Sequence, residues 1–277
     1  MCRLFGFRSA QPSTAHRSLA EAENALAQQS LQHPDGWGIG WFVDDDAYVV
    51  KSANAAHACE RFKKAANTLS SHTMIGHVRR ATVGTIDHLN AHPFRYGRWL
   101  FAHNGTIFSF DALREWLHEG IDEGFQPLIL GDTDSEHLFY FLLSALADNG
   151  VDRSGRRPSD AKTVGHIVRA ALAALDEEAR SRGLERPITN VLLTDGRVFV
   201  AHRAGMPLFM ASQAGELQVA SEPIGAEAWR PIDDGATVVL DEAFRLDTLP
   251  APDGWVPPPI PERYRRDPAP KAGNAPG

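Results

Sequence analysis

Cys2 stands directly behind Met1, and that position is the first chemical signal in the chain. A cysteine near a terminus is ordinarily a small apolar residue of a first strand. Removal of Met1, which aminopeptidases perform when the next residue is small, changes its chemistry. The residue then carries a thiol, with a pKa of about 8.5, and a free α-amine, at about 7.7–8.0. At neutral pH part of that amine is unprotonated and can take the thiol proton, so one residue supplies nucleophile and base. Cys59, the other cysteine, falls in an expected helix without a comparable partner and reads as structural.

Further along, HPDGWGIGWF (33–42) alternates Gly36, Gly38 and Gly40 with bulky residues. In a strand this leaves one face bare, for tight sheet packing in the plainer reading and for a ligand in the other. Arg79 ends the apolar run TMIGHVR, where a buried guanidinium needs an anion. A substrate carboxylate held by the bidentate fork and an internal Asp or Glu both meet that need. Asn104-Gly105 is by itself a turn signal, yet a side-chain amide beside a glycine N–H is also a natural pair of donors for an oxyanion. Asp132, Asp134 and Glu136 suit the start of a helix, and one of them could instead bind an ammonium. His77, His88 and His92 lack metal-ligand spacing, so no metal is expected.

These residues need elements to hold them. Residues 4–8 suit a strand, and 14–30 read as a helix with Leu19, Ala22 and Leu26 on one face and Ser13 as cap. WGIGWFV and AYVVK read as two strands joined across Asp44-Asp45-Asp46. A helix is expected over 56–70, buried strands over 73–79 and 98–104, and a helix over 109–119 capped by Ser109. Thr133-Asp134-Ser135-Glu136 has the form of a capping box for a helix running to Asp148. A polar loop (148–160) precedes a strong amphipathic helix over 160–182, closed by Gly183. NVLLT and RVFVAH flank a hairpin turn at Asp195-Gly196, and PLFMAS, ELQVAS and ATVVL add three strands. Residues 250–277 hold nine of the eighteen prolines, so the end of the chain is expected to be extended or disordered. Clustered strands with helices between clusters imply packed, mainly antiparallel sheets covered by helices.

The chain has 277 residues and a formal charge of −7, which offers no attraction to nucleic acid or anionic lipid. No apolar run spans a bilayer and no signal-peptide core is visible, so a cytoplasmic protein is expected.

Taken in order, Met-Cys, Asp-Gly-Trp-Gly, Gly-His-x-Arg-x-Ala-Thr, Asn-Ala-His-Pro, His-Asn-Gly and Thr-Asp-Ser-Glu resemble the class II glutamine amidotransferases, the glutamine-hydrolysing domain of the N-terminal-nucleophile hydrolases. The match runs from about residue 2 to 140. The resemblance implies an α+β fold, a four-layer α/β/β/α sandwich, over residues 2–250, with a proline-rich tail at 251–277. It makes Cys2 the nucleophile and its amine the base, Asn104 and Gly105 the oxyanion hole, Arg79 the clamp for the substrate α-carboxylate with Thr82 beside it, and Asp134 the partner of the α-ammonium. No cofactor is implied. Where many synthase-linked members carry Trp after the arginine, this chain has Arg80, which alters the pocket wall. The compact form resembles a stand-alone branch that includes the γ-glutamyl hydrolase of ergothioneine synthesis.

Three functions fit that resemblance. The first is hydrolysis of the glutamine γ-amide, with ammonia released or handed to an accepting protein that the sequence does not identify. The second is hydrolysis of another γ-glutamyl compound. The third, a non-catalytic binding module, fits least because every catalytic position is filled.

Overall fold

The computed structural model describes residues 1–213 and 215–262. Its strands are β1 (Arg3–Ser13), β2 (Trp37–Val43), β3 (Asp46–Ser52), β4 (Ser71–Val78), β5 (Phe94–Tyr96), β6 (Trp99–Thr106), β7 (Ile188–Thr194), β8 (Phe199–His202), β9 (Phe209–Gln213), β10 (Glu216–Ala220), β11 (Arg230–Pro231), β12 (Thr237–Leu240) and β13 (Leu246–Leu249). The α-helices are α1 (Leu26–Gln29), α2 (Glu60–Thr68), α3 (Phe110–Glu119), α4 (Asp134–Asp148) and α5 (Ala161–Ser181). The strands form two antiparallel sheets, ordered β11-β9-β10-β1-β4-β2-β3 and β13-β12-β8-β7-β6-β5.

The two-residue period of each strand sorts its side chains between layers. Leu4 and Ile75 from the first sheet meet Leu100, Ala102 and Leu192 from the second in a central apolar seam. Phe5, Phe7, Trp37 and Met74 point outward, under α1 and α2. Trp99, Phe101, Val191 and Leu193 point out of the second sheet, under α3, α4 and α5. The result is the α/β/β/α sandwich that the resemblance implied.

The glycine alternation of β2 serves sheet packing. A Cβ at Gly38 would overlap the carbonyl oxygen of His92, and one at Gly40 would meet Pro93 at 2.8 Å and Leu100 at 2.9 Å. The first strand pair closes through Asp44 in the left-handed region (φ 51°) and the later hairpin through Gly196 (φ 90°), as their sequences indicated.

Local readings fail where a distant segment competes. The helix expected over 14–30 is a π-turn at Arg17–Glu21 and the short α1, and Ser13 ends β1 instead of capping a helix. Asn24 breaks it, at φ 60°, because its side chain donates to Glu222 Oε2 and to the Pro223 carbonyl. Ser109 precedes α3 but is left-handed and makes no capping bond. Thr133 does cap α4, accepting from the Glu136 N–H at 3.2 Å, while the Glu136 carboxylate turns back to the amides of Leu130 and Gly131. The helix expected over 56–70 divides into a single 3-10 turn, Ala56–Ala58, and α2.

Residues 251–262 lie along the body of the fold. Trp255 Nε1 donates to Asp234 at 3.0 Å, and Arg186 donates to the Val256 carbonyl at 2.7 Å. Residues 263–277, where an extended or disordered end was expected, lie outside the described residues. Among the described residues no helix is long and apolar enough to cross a membrane.

Candidate active site

Continuing the alternation past the apolar seam shows what stands at its mouth. Inward positions run Leu4 to Cys2 on β1, Ile75 to His77 to Arg79 on β4, and Leu100, Ala102 to Asn104 on β6. The antiparallel register places Arg3 opposite Val78, so the start of β1 and the end of β4 are side by side. Apolar packing thus fixes the strands, and their last turns present a thiol, a guanidinium and an amide to one place.

Cys2 is buried, and its sulfur accepts the Arg80 N–H at 3.3 Å while the thiol donates to the Arg80 carbonyl at 3.4 Å. Burial pushes the thiol pKa up; the Arg80 N–H, the terminal amine, Arg79 and Arg3 pull it back. The surroundings are cationic, and His33 shows it: burial, then Arg3, the terminal amine, Arg80 and His77, bring its pKa down to about 2. Met1 is buried as well, in a small apolar cluster with Phe108 and Ile188, against which Met206 and Ile260 pack.

Arg79 is 2% exposed. Its guanidinium donates to the carbonyls of Thr85 and Val83, each at 2.8 Å. Among the described residues no carboxylate lies within ion-pair distance of it. Of the two partners open to it from sequence, the internal acid is therefore not found among the described residues. The loop that wraps it is fastened from outside: Asp132 accepts from Thr85 N at 3.3 Å and from Asn90 Nδ2 at 2.5 Å, and Asn90 Oδ1 accepts from Asp132 N at 3.1 Å. Thr82, exposed on this loop, has its hydroxyl 3.2 Å from that of Thr106.

Asn104 is 1% exposed, and its amide nitrogen donates to Ser221 Oγ at 3.1 Å. Ser221 Oγ also accepts the Leu4 N–H at 2.9 Å, which ties β6 to β1. The buried Asn104 Oδ1 has no partner among the described residues. A half-turn of the amide would let the serine hydroxyl donate to that oxygen and turn the NH2 toward the open position. Gly105 follows, where a Cβ would overlap both the Ile188 carbonyl and the His103 ring, so only glycine lets the strands approach.

Asp134 occupies the first turn of α4, 3% exposed. Its Oδ2 accepts the Ile107 N–H at 2.7 Å and its Oδ1 the Ser135 hydroxyl at 3.2 Å. Ser135 in turn bonds His103 Nδ1 at 2.9 Å, while His103 Nε2 reaches the Ile188 carbonyl at 2.9 Å. Burial lowers the His103 pKa, Asp134 opposes that shift, and the ring braces α4 against β7.

The three histidines of the earlier metal question separate. His77 and His92 stack with centroids 4.2 Å apart, both buried, and burial lowers His77 to about 3 and His92 well below its usual value. His88 is on the exposed loop beside Asp87. Among the described residues no group of three or more His, Cys, Asp or Glu side chains is placed to hold a metal.

Sequence reasoning passed over four residues of this neighbourhood. Arg3 bonds Glu222 at 2.5 Å and the carbonyls of Met1 and Cys2 at 3.0 and 2.9 Å. Ser221 orients Asn104, and Asp35 accepts the Ala81 N–H at 2.9 Å, steadying the Arg79 loop. The available signal was a charged residue inside an apolar run, Arg3 between Cys2 and Leu4.

The profile described as class-II glutamine amidotransferases matches residues 1–215. The γ-glutamyl-hercynylcysteine sulfoxide hydrolase of Mycobacterium tuberculosis is 33% identical over 244 residues, 84% of this chain and 90% of that protein. An uncharacterized protein of Methanocaldococcus jannaschii is 30% identical over 161 residues; the match takes in 55% of this chain and 41% of the archaeal protein, so the chain spans under half of that relative. The solved structure of a glutamine aminotransferase class-II domain protein from Silicibacter pomeroyi overlays with a TM-score of 0.67 at 20% identity, covering 90% of this chain and 98% of that one.

Proposed function

Because the chain belongs to the class II glutamine amidotransferases, we propose that it hydrolyses γ-glutamyl amides through a thioester on Cys2. The observation that carries this reading is the buried Arg79 cation, held among the described residues by carbonyls alone, at the same seam mouth as a buried thiol, with the buried Asp134 carboxylate on the first turn of α4. The α-carbon end of a glutamyl group is a carboxylate and an ammonium, and it fits such a pair. In the proposed reaction the Cys2 sulfur attacks the γ-carbonyl carbon, and its proton passes to the α-amine freed by loss of Met1. The tetrahedral oxyanion is met by the Asn104 amide and the Gly105 N–H. The C–N bond breaks and the amine leaves with the proton. Water then attacks the thioester, releasing glutamate and restoring the thiol.

Two features of the structure support the need for processing. With Met1 in place the Cys2 nitrogen is an amide and has no basic lone pair. The Met1 side chain also occupies a buried apolar site beside the thiol residue. The test is glutamate release by protein verified to begin at Cys2, from glutamine and from a panel of γ-glutamyl amides, with the thioester trapped by hydroxylamine. Absence of glutamate from every member of the panel overturns the proposal.

A further inference from the structure

A cavity of about 450 Å³ opens beside Asn104. Arg3, Asn104, Ser221 and Glu222 are among its polar lining residues, and Met206, Phe209 and Ile260 are among its apolar ones. Arg79, Thr82 and Asp134 do not line it. We infer that this cavity seats the leaving amine, and that the amine is an α-amino acid with an apolar side chain, so that the substrates are γ-glutamyl amino acids. The inference rests on the γ-glutamyl amidase reading and deepens it.

The first argument is positional. A scissile amide has its acyl group on one side of the carbonyl and its nitrogen on the other. With the glutamyl end at Arg79 and Asp134 and the carbonyl oxygen at Asn104, the nitrogen faces the space that begins at Asn104. Removal of Met1 should enlarge that space toward the thiol, since Met206 and Ile260, themselves cavity walls, pack against the small cluster to which Met1 belongs.

Size is the second. The cavity falls within the range of about 300–1,000 Å³ typical of small-molecule sites. Ammonia, comparable to a water molecule at about 30 Å³, would use a small part of it.

The third is charge. Arg3 gives Nε to Glu222 and Nη1 to the carbonyls of Met1 and Cys2; among the described residues its Nη2 has no acceptor. Burial, with Arg80 nearby, lowers its pKa to about 10, so it remains a cation at neutral pH. In a γ-glutamyl amino acid the α-carboxylate lies two bonds from the scissile nitrogen. A guanidinium bonded to the carbonyl of the nucleophilic residue is within reach of that carboxylate, and the amino-acid side chain then faces Met206, Phe209 and Ile260. Glu222, on the same wall, balances the charge of Arg3, but an apolar amine without a carboxylate would leave that Nη2 without an acceptor.

The test compares three substrates on the processed wild type: L-glutamine, γ-L-glutamyl-L-phenylalanine, and γ-L-glutamyl-phenethylamide, which lacks only the carboxylate of the dipeptide. All share the glutamyl half. The dipeptide should exceed each of the others in kcat/KM by roughly ten- to a hundredfold, the scale of one buried apolar side chain or one charge-assisted bond. Glutamine turned over as well as the dipeptide, or equal rates for dipeptide and phenethylamide, overturns the inference and leaves the amidase reading standing. Hydrolysis of none overturns both. Two variants are read as ratios within each protein, so a general loss of activity cancels. Arg3→Gln should abolish the preference for dipeptide over phenethylamide, and Met206→Trp should lower the dipeptide at least tenfold more than glutamine. Unchanged ratios in both would also overturn it.

Discussion

Replacing Arg79 by Met separates a structural from a substrate-binding role. Removing a buried cation spares the desolvation cost of an ion, several kcal/mol after relaxation. It forfeits two bonds to carbonyls, each worth about 1.5–3 kcal/mol when the donor is charged. The acceptors, Val83 and Thr85, stand on a partly exposed loop and can turn to water. The opposing contributions nearly cancel, so Arg79→Met should change unfolding stability by no more than about 2 kcal/mol. The substrate complex has no such compensation. Truncating one partner of a desolvated charge pair costs about 2–5 kcal/mol, or roughly 30- to 5,000-fold in kcat/KM at 1.36 kcal/mol per decade. Arg79→Lys should fall between, since it keeps the charge and loses the planar fork. Urea unfolding and glutamate release on the same preparations decide the matter. A fold weakened by more than about 4 kcal/mol, with turnover per folded molecule intact, would refute the assignment and make Arg79 a structural residue.

Cys2→Ala should abolish glutamate release and leave thermal unfolding almost unchanged, because the thiol packs as a small side chain; appreciable turnover by the folded variant would exclude it as nucleophile. Asp134→Asn keeps the size and one acceptor oxygen, which can stay on the Ile107 N–H, and loses the charge expected to face the ammonium, so glutamate should no longer protect the thiol from alkylation; undiminished protection would remove that role. Acid should destabilise the fold through His77 and His202, both held at about 3 by burial, and through His92, which burial also lowers. These rings are neutral when folded and protonate at about 6.5 when unfolded, so stability is full above that pH and falls as pH drops toward about 3, by up to about 1.4 kcal/mol per group per unit. Urea midpoints that stay constant from pH 7.5 to 5 would contradict this. Gly38→Ala drives a methyl into the His92 carbonyl and should cost about 1–3 kcal/mol or more, whereas Gly150→Ala, with open space around it, should cost only the strain of its φ of 80°. Equal losses would show that β2 does not need the close approach.

The sheet strands were legible because their signals are local. Alternation in β1, β4 and β6 fixes which residues face the seam, and carrying that parity to Cys2, Arg79 and Asn104 is enough to converge them. Ordered motifs supplied the family, and Thr133 announced α4 through its own cap. What escaped depends on partners far along the chain. The early helix is broken by Asn24 reaching Glu222 and Pro223, and the same Glu222 engages Arg3 across 219 positions. Ser221 gains its place only when β10 lies against β1. No periodicity near residue 24 or 221 encodes those meetings.

The burial of Met1 also sets an order of events. A peptidase must draw a terminus into its own cleft, yet in the folded chain Met1 is 6% exposed and β1 is clasped between β4 and β10. The nearer partner is complete by Val78, but the further one ends at Ala220. At about 5–20 residues per second, roughly 10–45 s pass before β10 has been made. Purified protein that retains Met1 should accordingly resist aminopeptidase while native and yield to it in urea; equal trimming of both would show that the terminus frays freely. Under the proposed mechanism, exposure of the Cys2 amine is therefore a race between trimming and folding, and a chain that folds first keeps Met1.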